Sequence, residues 1–186
     1  TPESRDAFTD VHQSVDPAAE SWIYEHGWQS WSPAGLYPGD LACSPRPQKH
    51  IWQAMAFRPE RPAPDAGFQG EGLLALVNAD RSADVFVAPE PDMAVATIRA
   101  RQESGRLVVS ADGPVVQLSA ESLDAGLAAA AQLLAGRLVD RPIAPLPAGW
   151  CSWYTYWNEV TDRDVLDNLA VIEQQDLGIE VVQIDD

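Results

Sequence analysis

The sequence predicts a mainly β protein, an antiparallel β-sandwich followed by an incomplete (β/α)8 barrel. Three observations carry that expectation. Short apolar runs separated by polar turns recur from Ser21 to about Ser119, a spacing typical of antiparallel sandwiches. Prolines then crowd the stretch "VDRPIAPLPAG" (139–149). Beyond it the pattern changes to strand, loop, helix, tight turn and strand, which is one βαβ unit.

Residues 1–20 are polar with few apolar positions, and they read as an edge segment or a partly disordered one. "LLALVNADRSADVFVA" (73–88) reads as two strands around a polar turn. "VATIRARQESGRLVVSA" (95–111) reads as a hairpin that turns at Glu103-Ser104-Gly105, and "PVVQLSA" (114–120) adds one more strand. The proline-rich stretches "SPRPQKH" and "RPERPAPDAG" are loops or edges, because proline lacks the N–H that a ladder needs. "LDAGLAAAAQLLAGRL" (123–138) is rich in Ala and Leu and predicts a helix capped by Ser122 or Asp124. These elements give a sandwich with a C-terminal helix over 1–138, a linker over 139–148 and the start of a barrel over 149–186.

In the last segment "AGWCSW" (148–153) is a short apolar strand and "YTYWNEV" a loop. Thr161-Asp162-Arg163-Asp164 approximates a capping box, with Asp where Glu is usual. Val165, Leu166, Leu169 and Ile172 then recur at helical spacing to about Asp176, and Gly178 supplies a left-handed stop. "IEVVQI" (179–184) is the second strand. The two strands are parallel, so Trp153 and the pair Asp185 and Asp186 fall at one C-terminal edge. A parallel sheet needs covering on both faces and a closed barrel takes roughly 250 residues. The remaining barrel strands are therefore expected beyond Asp186.

Twenty-eight acidic residues face twelve basic ones, a net charge of −16. Such a surface repels phosphate backbones and anionic headgroups, which argues against nucleic acid and membrane partners. No run approaches a membrane span and no basic-apolar leader opens the chain, so a cytoplasmic location is expected. Cys43 and Cys151 read as reduced thiols, since their spacing specifies no disulfide framework. His occurs only at 12, 26 and 50, which gives a metal site little support, and nothing in the pattern calls for a cofactor.

The predicted rim carries Trp153, Tyr154, Tyr156, Trp157, Asp185 and Asp186. A flat indole stacks on the C–H face of a sugar while carboxylates accept bonds from its vicinal hydroxyls, a combination suited to a neutral polyhydroxylated ligand. Trp150 and Trp153 as barrel core, with the Asp pair capping a following helix, is a second reading that spacing alone leaves open. The Asp pair does not suit the acid and base of a glycosidase. Those must flank the scissile bond, whereas successive strand residues point to opposite sides.

"AGWCSWYTYW" followed by a helix and "VVQIDD" resembles the start of the catalytic barrel in glycoside hydrolase family 36, the α-galactosidases and their relatives. Upstream, "HGWQSWSPAG" (26–35) is similar to the signature of that family's N-terminal β-supersandwich. The resemblance implies a retaining hydrolase of α-galactoside oligosaccharides in which Asp185 and Asp186 hold sugar hydroxyls and Trp153 is the stacking platform. It also implies that nucleophile and acid/base are aspartates of later strands, so no catalytic residue lies in this chain. A related α-glycoside hydrolase, a transferase of the raffinose-synthase kind and a non-catalytic carbohydrate-binding module are the alternatives. The aromatics Trp22, Trp28, Trp31, Tyr37 and Trp52 read first as sandwich core and packing against the barrel. The other reading is contact with substrate or with a neighbouring subunit of a homo-oligomer.

Overall fold

Alternating burial sorts the first part of the chain into two antiparallel sheets. The computed structural model describes residues 8–30, 32, 34–46, 55–90, 95–137 and 144–185. The chain divides into two compact units, Thr1–Val139 and Asp140–Asp186.

In the first unit the strands are β1 (Thr9–Pro17), β2 (Trp22–Glu25), β3 (Gly35–Pro38), β4 (Phe68–Glu71), β5 (Leu73–Val77), β6 (Ala83–Val87), β7 (Thr97–Glu103), β8 (Arg106–Ala111) and β9 (Val116–Ala120). They form a four-stranded sheet in the order β1-β8-β7-β4 and a five-stranded sheet in the order β3-β2-β5-β6-β9. Ile23, Leu74, Leu76 and Phe86 of the larger sheet share one core with Phe68, Ile98, Leu107 and Val109 of the smaller. Gly72, with φ +74°, lets the chain leave β4 and enter β5 of the other sheet within one residue. The hairpin β7–β8 turns at Ser104 and Gly105, whose φ values of +49° and +77° are those a two-residue hairpin turn requires.

Of the opening twenty residues, residues 1–7 lie outside the described residues and Thr9–Pro17 is an edge strand. β1 pairs with β8 from Thr9↔Ala111 to Pro17↔Arg106, with two irregularities in register. Helix α1 (Leu123–Ala135) covers the outer face of the larger sheet, where Ala130 meets Ala75, Val85 and Val87. Its cap is Ser122, whose Oγ accepts the N–H of Ala125 at 3.2 Å. The helix ends at Ala135, short of the expected 138, with the Gly136 N–H making its last bond back to the Gln132 carbonyl.

Polar groups also enter the sandwich. The Glu25 carboxylate on β2 accepts the N–H of Gln69 on β4 at 2.7 Å, which ties the two sheets together. Glu71 sits 2.7 Å from the Arg58 guanidinium and accepts from Thr97 Oγ1 at 3.0 Å. Burial pushes both carboxyls above the ordinary glutamate value, against the bonds and positive charges that favour ionisation.

The second unit is the expected βαβ. β10 (Gly149–Cys151) and β11 (Val181–Gln183) pair in parallel, Gly149↔Val181 to Cys151↔Gln183. The segment after β10 is not a plain loop. It forms a one-turn helix, α2 (Trp153–Tyr156), and a 3-10 turn over Trp157–Glu159, because the Ser152 carbonyl accepts the N–H groups of both Thr155 and Tyr156. α3 (Asp162–Gln174) starts in a complete capping box made by Thr161 and Asp164. Positive φ at Asp176 (+48°) and Gly178 (+64°) then turns the chain into β11.

Candidate sugar-binding rim

The parallel pair β10–β11 determines what the second unit presents, because both strands end on the same side. Past β10 come Ser152 and Trp153, and past β11 come Ile184 and Asp185. Asp186 lies outside the described residues.

Trp153 opens α2 half-buried, with its ring 5.2 Å from that of Trp157 at 59°. Tyr156 is held from two sides, by the Trp150 ring at 6.5 Å and by the Asn168 amide, which donates to its hydroxyl at 2.8 Å. Tyr154, by contrast, is 84% exposed. Asp185 is half-buried, and its Oδ2 accepts from the Gln183 side-chain amide at 3.1 Å. The remaining lone pairs of that carboxylate are available to hydroxyl donors.

Ser152 is a residue that spacing and motif do not single out. It is fully buried, and its hydroxyl bonds both backbone groups of Asp185 at 3.0 and 3.1 Å. The available signal was one small polar residue at the end of the apolar run "AGWCSW", where a hydroxyl has to find a partner.

Of the five aromatics expected as core, Trp22 and Trp28 are not sandwich core, being 45% and 41% exposed. Trp22 lies on the outward side of β2, whose inward residues are Ile23 and Glu25. The Trp28 indole N–H donates to the Met55 carbonyl at 2.9 Å, a bond also made by Gln29 Nε2 and Ser32 Oγ. The polar edge of the ring is thereby satisfied while the ring stays at the surface. Tyr37 does pack on the core, its ring stacked 6.3 Å from Phe68. Trp31 and Trp52 lie outside the described residues.

Cys43 and Cys151 carry free thiols. Among the described residues no group of three His, Cys, Asp or Glu could hold a metal ion, and no helix is long and apolar enough to cross a membrane.

No protein-family model matches this chain. Among solved structures it is similar to the α-galactosidase of Thermus thermophilus in complex with p-nitrophenyl α-D-galactopyranoside, at 25% identity and a TM-score of 0.68. The stachyose complex of that enzyme matches at 25% identity and a TM-score of 0.65. The matches cover 96% of this chain but only 36% and 37% of those chains. The fold is thus that of a segment of an α-galactosidase-like protein, spanning about a third of the length of the enzymes it resembles.

Proposed function

We propose that this chain is the N-terminal part of a retaining glycoside hydrolase of the family 36 kind that acts on α-galactosides. Its sandwich is the family's N-terminal domain, and its βαβ unit opens the catalytic barrel. Trp153 stacks on the apolar face of the galactose ring, and Asp185 and Asp186 accept bonds from its hydroxyls. The nucleophile and the acid/base come from later barrel strands. The observation that carries this reading is the shared strand edge of the parallel pair, which brings the Trp153 turn and Asp185 together, where barrel enzymes bind ligands.

Both aspartates on one rim segment would sit on one side of the sugar, so they hold it rather than flank its scissile bond. Some of their bonds tighten as the ring flattens toward the oxocarbenium-like transition state. Replacing either by Asn keeps the shape, removes the charge and turns one acceptor into a donor. A hydrogen bond to a charged group contributes about 1.5–3 kcal/mol, so each variant of the full-length enzyme should lose about tenfold to a hundredfold in kcat/KM. Azide, which substitutes for a missing nucleophile, should rescue neither Asp185→Asn nor Asp186→Asn. Recovery of turnover as a glycosyl azide would make that residue one of the two catalytic carboxylates, an inverted product marking the nucleophile and a retained one the acid/base, and would overturn the assignment. The 186-residue chain alone should not turn over an aryl α-galactoside, and activity above a mock purification would contradict the proposal.

A further inference from the structure

Ser152 uses every polar group it has. Its N–H donates to the Gln183 carbonyl at 3.1 Å, extending the β10–β11 ladder by one step. Its carbonyl accepts from Thr155 at 3.2 Å and Tyr156 at 3.0 Å, which starts the turn that carries Trp153. Its hydroxyl donates to the Asp185 carbonyl at 3.1 Å and accepts the Asp185 N–H at 3.0 Å. One residue therefore binds the base of the Trp153 turn and both faces of the peptide backbone at Asp185. The residue is 0% exposed, so water cannot replace its hydroxyl without local opening.

We infer that Ser152 is a positioning residue that sets the separation between the Trp153 ring and the Asp185 carboxylate, so that a sugar's apolar face and its hydroxyls are engaged together. The inference rests on the proposed roles of Trp153 and Asp185. Asp185 follows the last paired residue of β11, Gln183, by two positions. Beyond that ladder, the Ser152 hydroxyl fixes the orientation of the Asp185 backbone, and through it the side chain. Without the hydroxyl the Asp185 N–H and C=O lose this partner, and the carboxylate samples positions out of register with the stacked ring. Misplacement on the scale of one ångström is enough to weaken catalysis strongly.

The test uses the full-length enzyme containing this chain, with p-nitrophenyl α-galactoside as substrate. Ser152→Ala should lower kcat/KM by about tenfold or more while the protein stays folded by circular dichroism. Ser152→Cys keeps the shape with a weaker hydrogen-bonding group and should fall between Ala and wild type, so it also serves if the alanine variant does not fold. The decisive measurement is the double mutant with Asp185→Asn. If Ser152 acts through Asp185, its removal should cost less than about threefold in the Asp185→Asn background, a clear failure of additivity. Amide exchange at Asp185 should speed up in Ser152→Ala, with the exchange of strands β5 and β6 unchanged. Wild-type enzyme inert toward α-galactosides would overturn the proposed function and this inference with it. Active wild type with a Ser152→Ala effect under twofold, or with losses that multiply in the double mutant, would overturn the positioning role alone.

Discussion

Glu25 is a carboxylate held between two sheets at 2% exposure. Burial raises its protonation range above the ordinary 4.5, although Ser44, the Gln69 N–H and the Arg46 charge all favour the ionised form. Between 4.5 and the raised value the native state binds more protons than the unfolded chain, so stability falls as pH rises through that window. The contribution is fully present below the unfolded value and lost above the folded one. Glu25→Gln keeps an oxygen for the Gln69 N–H and removes the titration. Thermal melts should show the variant gaining on wild type as pH rises from acid to neutral, and a pH-independent difference would refute this. The sequence gives no sign of the buried role, because "SWIYEHG" looks like an ordinary exposed strand end and its partner Gln69 is 44 residues away. The same limit explains Trp22 and Trp28. Aromatic content predicts burial on average, but which face of a strand looks inward depends on a pairing that local sequence does not specify.

Elements with local signals were readable. The hairpin at Ser104-Gly105, the Ser122 cap and the Thr161–Asp164 box are each set by a few neighbouring residues, and each formed. The turn at Trp153–Tyr156 has no local signal, because its first N–H groups bond to the carbonyl of Ser152, a residue placed by strand pairing rather than by helix propensity. Packing makes a sharper prediction for α1. A Cβ on Gly126 would lie 2.5 Å from Val85 Cγ2, in a fully buried contact with β6. Gly→Ala gains about 1 kcal/mol of helix propensity, but overpacking typically costs about 1–3 kcal/mol. Gly126→Ala should therefore lower stability by a net ~1 kcal/mol in urea unfolding. Val85→Ala should cost less in the Gly126→Ala background than in wild type, and an unassisted gain from Gly126→Ala would show that the helix shifts freely.

The whole molecule pairs a sandwich that buries its core with a βαβ unit that leaves apolar residues uncovered. Leu166 and Ile184 are 61% and 65% exposed, which invites association in solution. A chain ending at residue 147 should remain monodisperse at concentrations where the 186-residue chain aggregates, as light scattering would report. Its circular dichroism should be β-dominated with one helix, and a mostly helical spectrum would refute the two-sheet architecture as a self-standing unit. The βαβ unit was legible from the change of hydrophobic period after the proline-rich stretch, and it forms a two-stranded parallel sheet. The chain spans 36% of the length of the Thermus thermophilus enzyme it resembles.

The pairing of β1 with β8 also has a consequence for synthesis. Asp10 on β1 closes its ion pair with Arg101 on β7, 91 residues further along the chain. At translation rates of roughly 5–20 residues per second, the first strand waits about 5–20 s after emerging before that partner is made. During the wait it is an unpaired ribbon beside the ribosome, carrying exposed Val11 and Val15. The charges at Asp10 and Asp16 and the irregular register of the strand discourage a neighbouring nascent chain from pairing with it first. Neutralising both aspartates should leave the finished fold nearly as stable, yet lower the yield of native protein per chain translated.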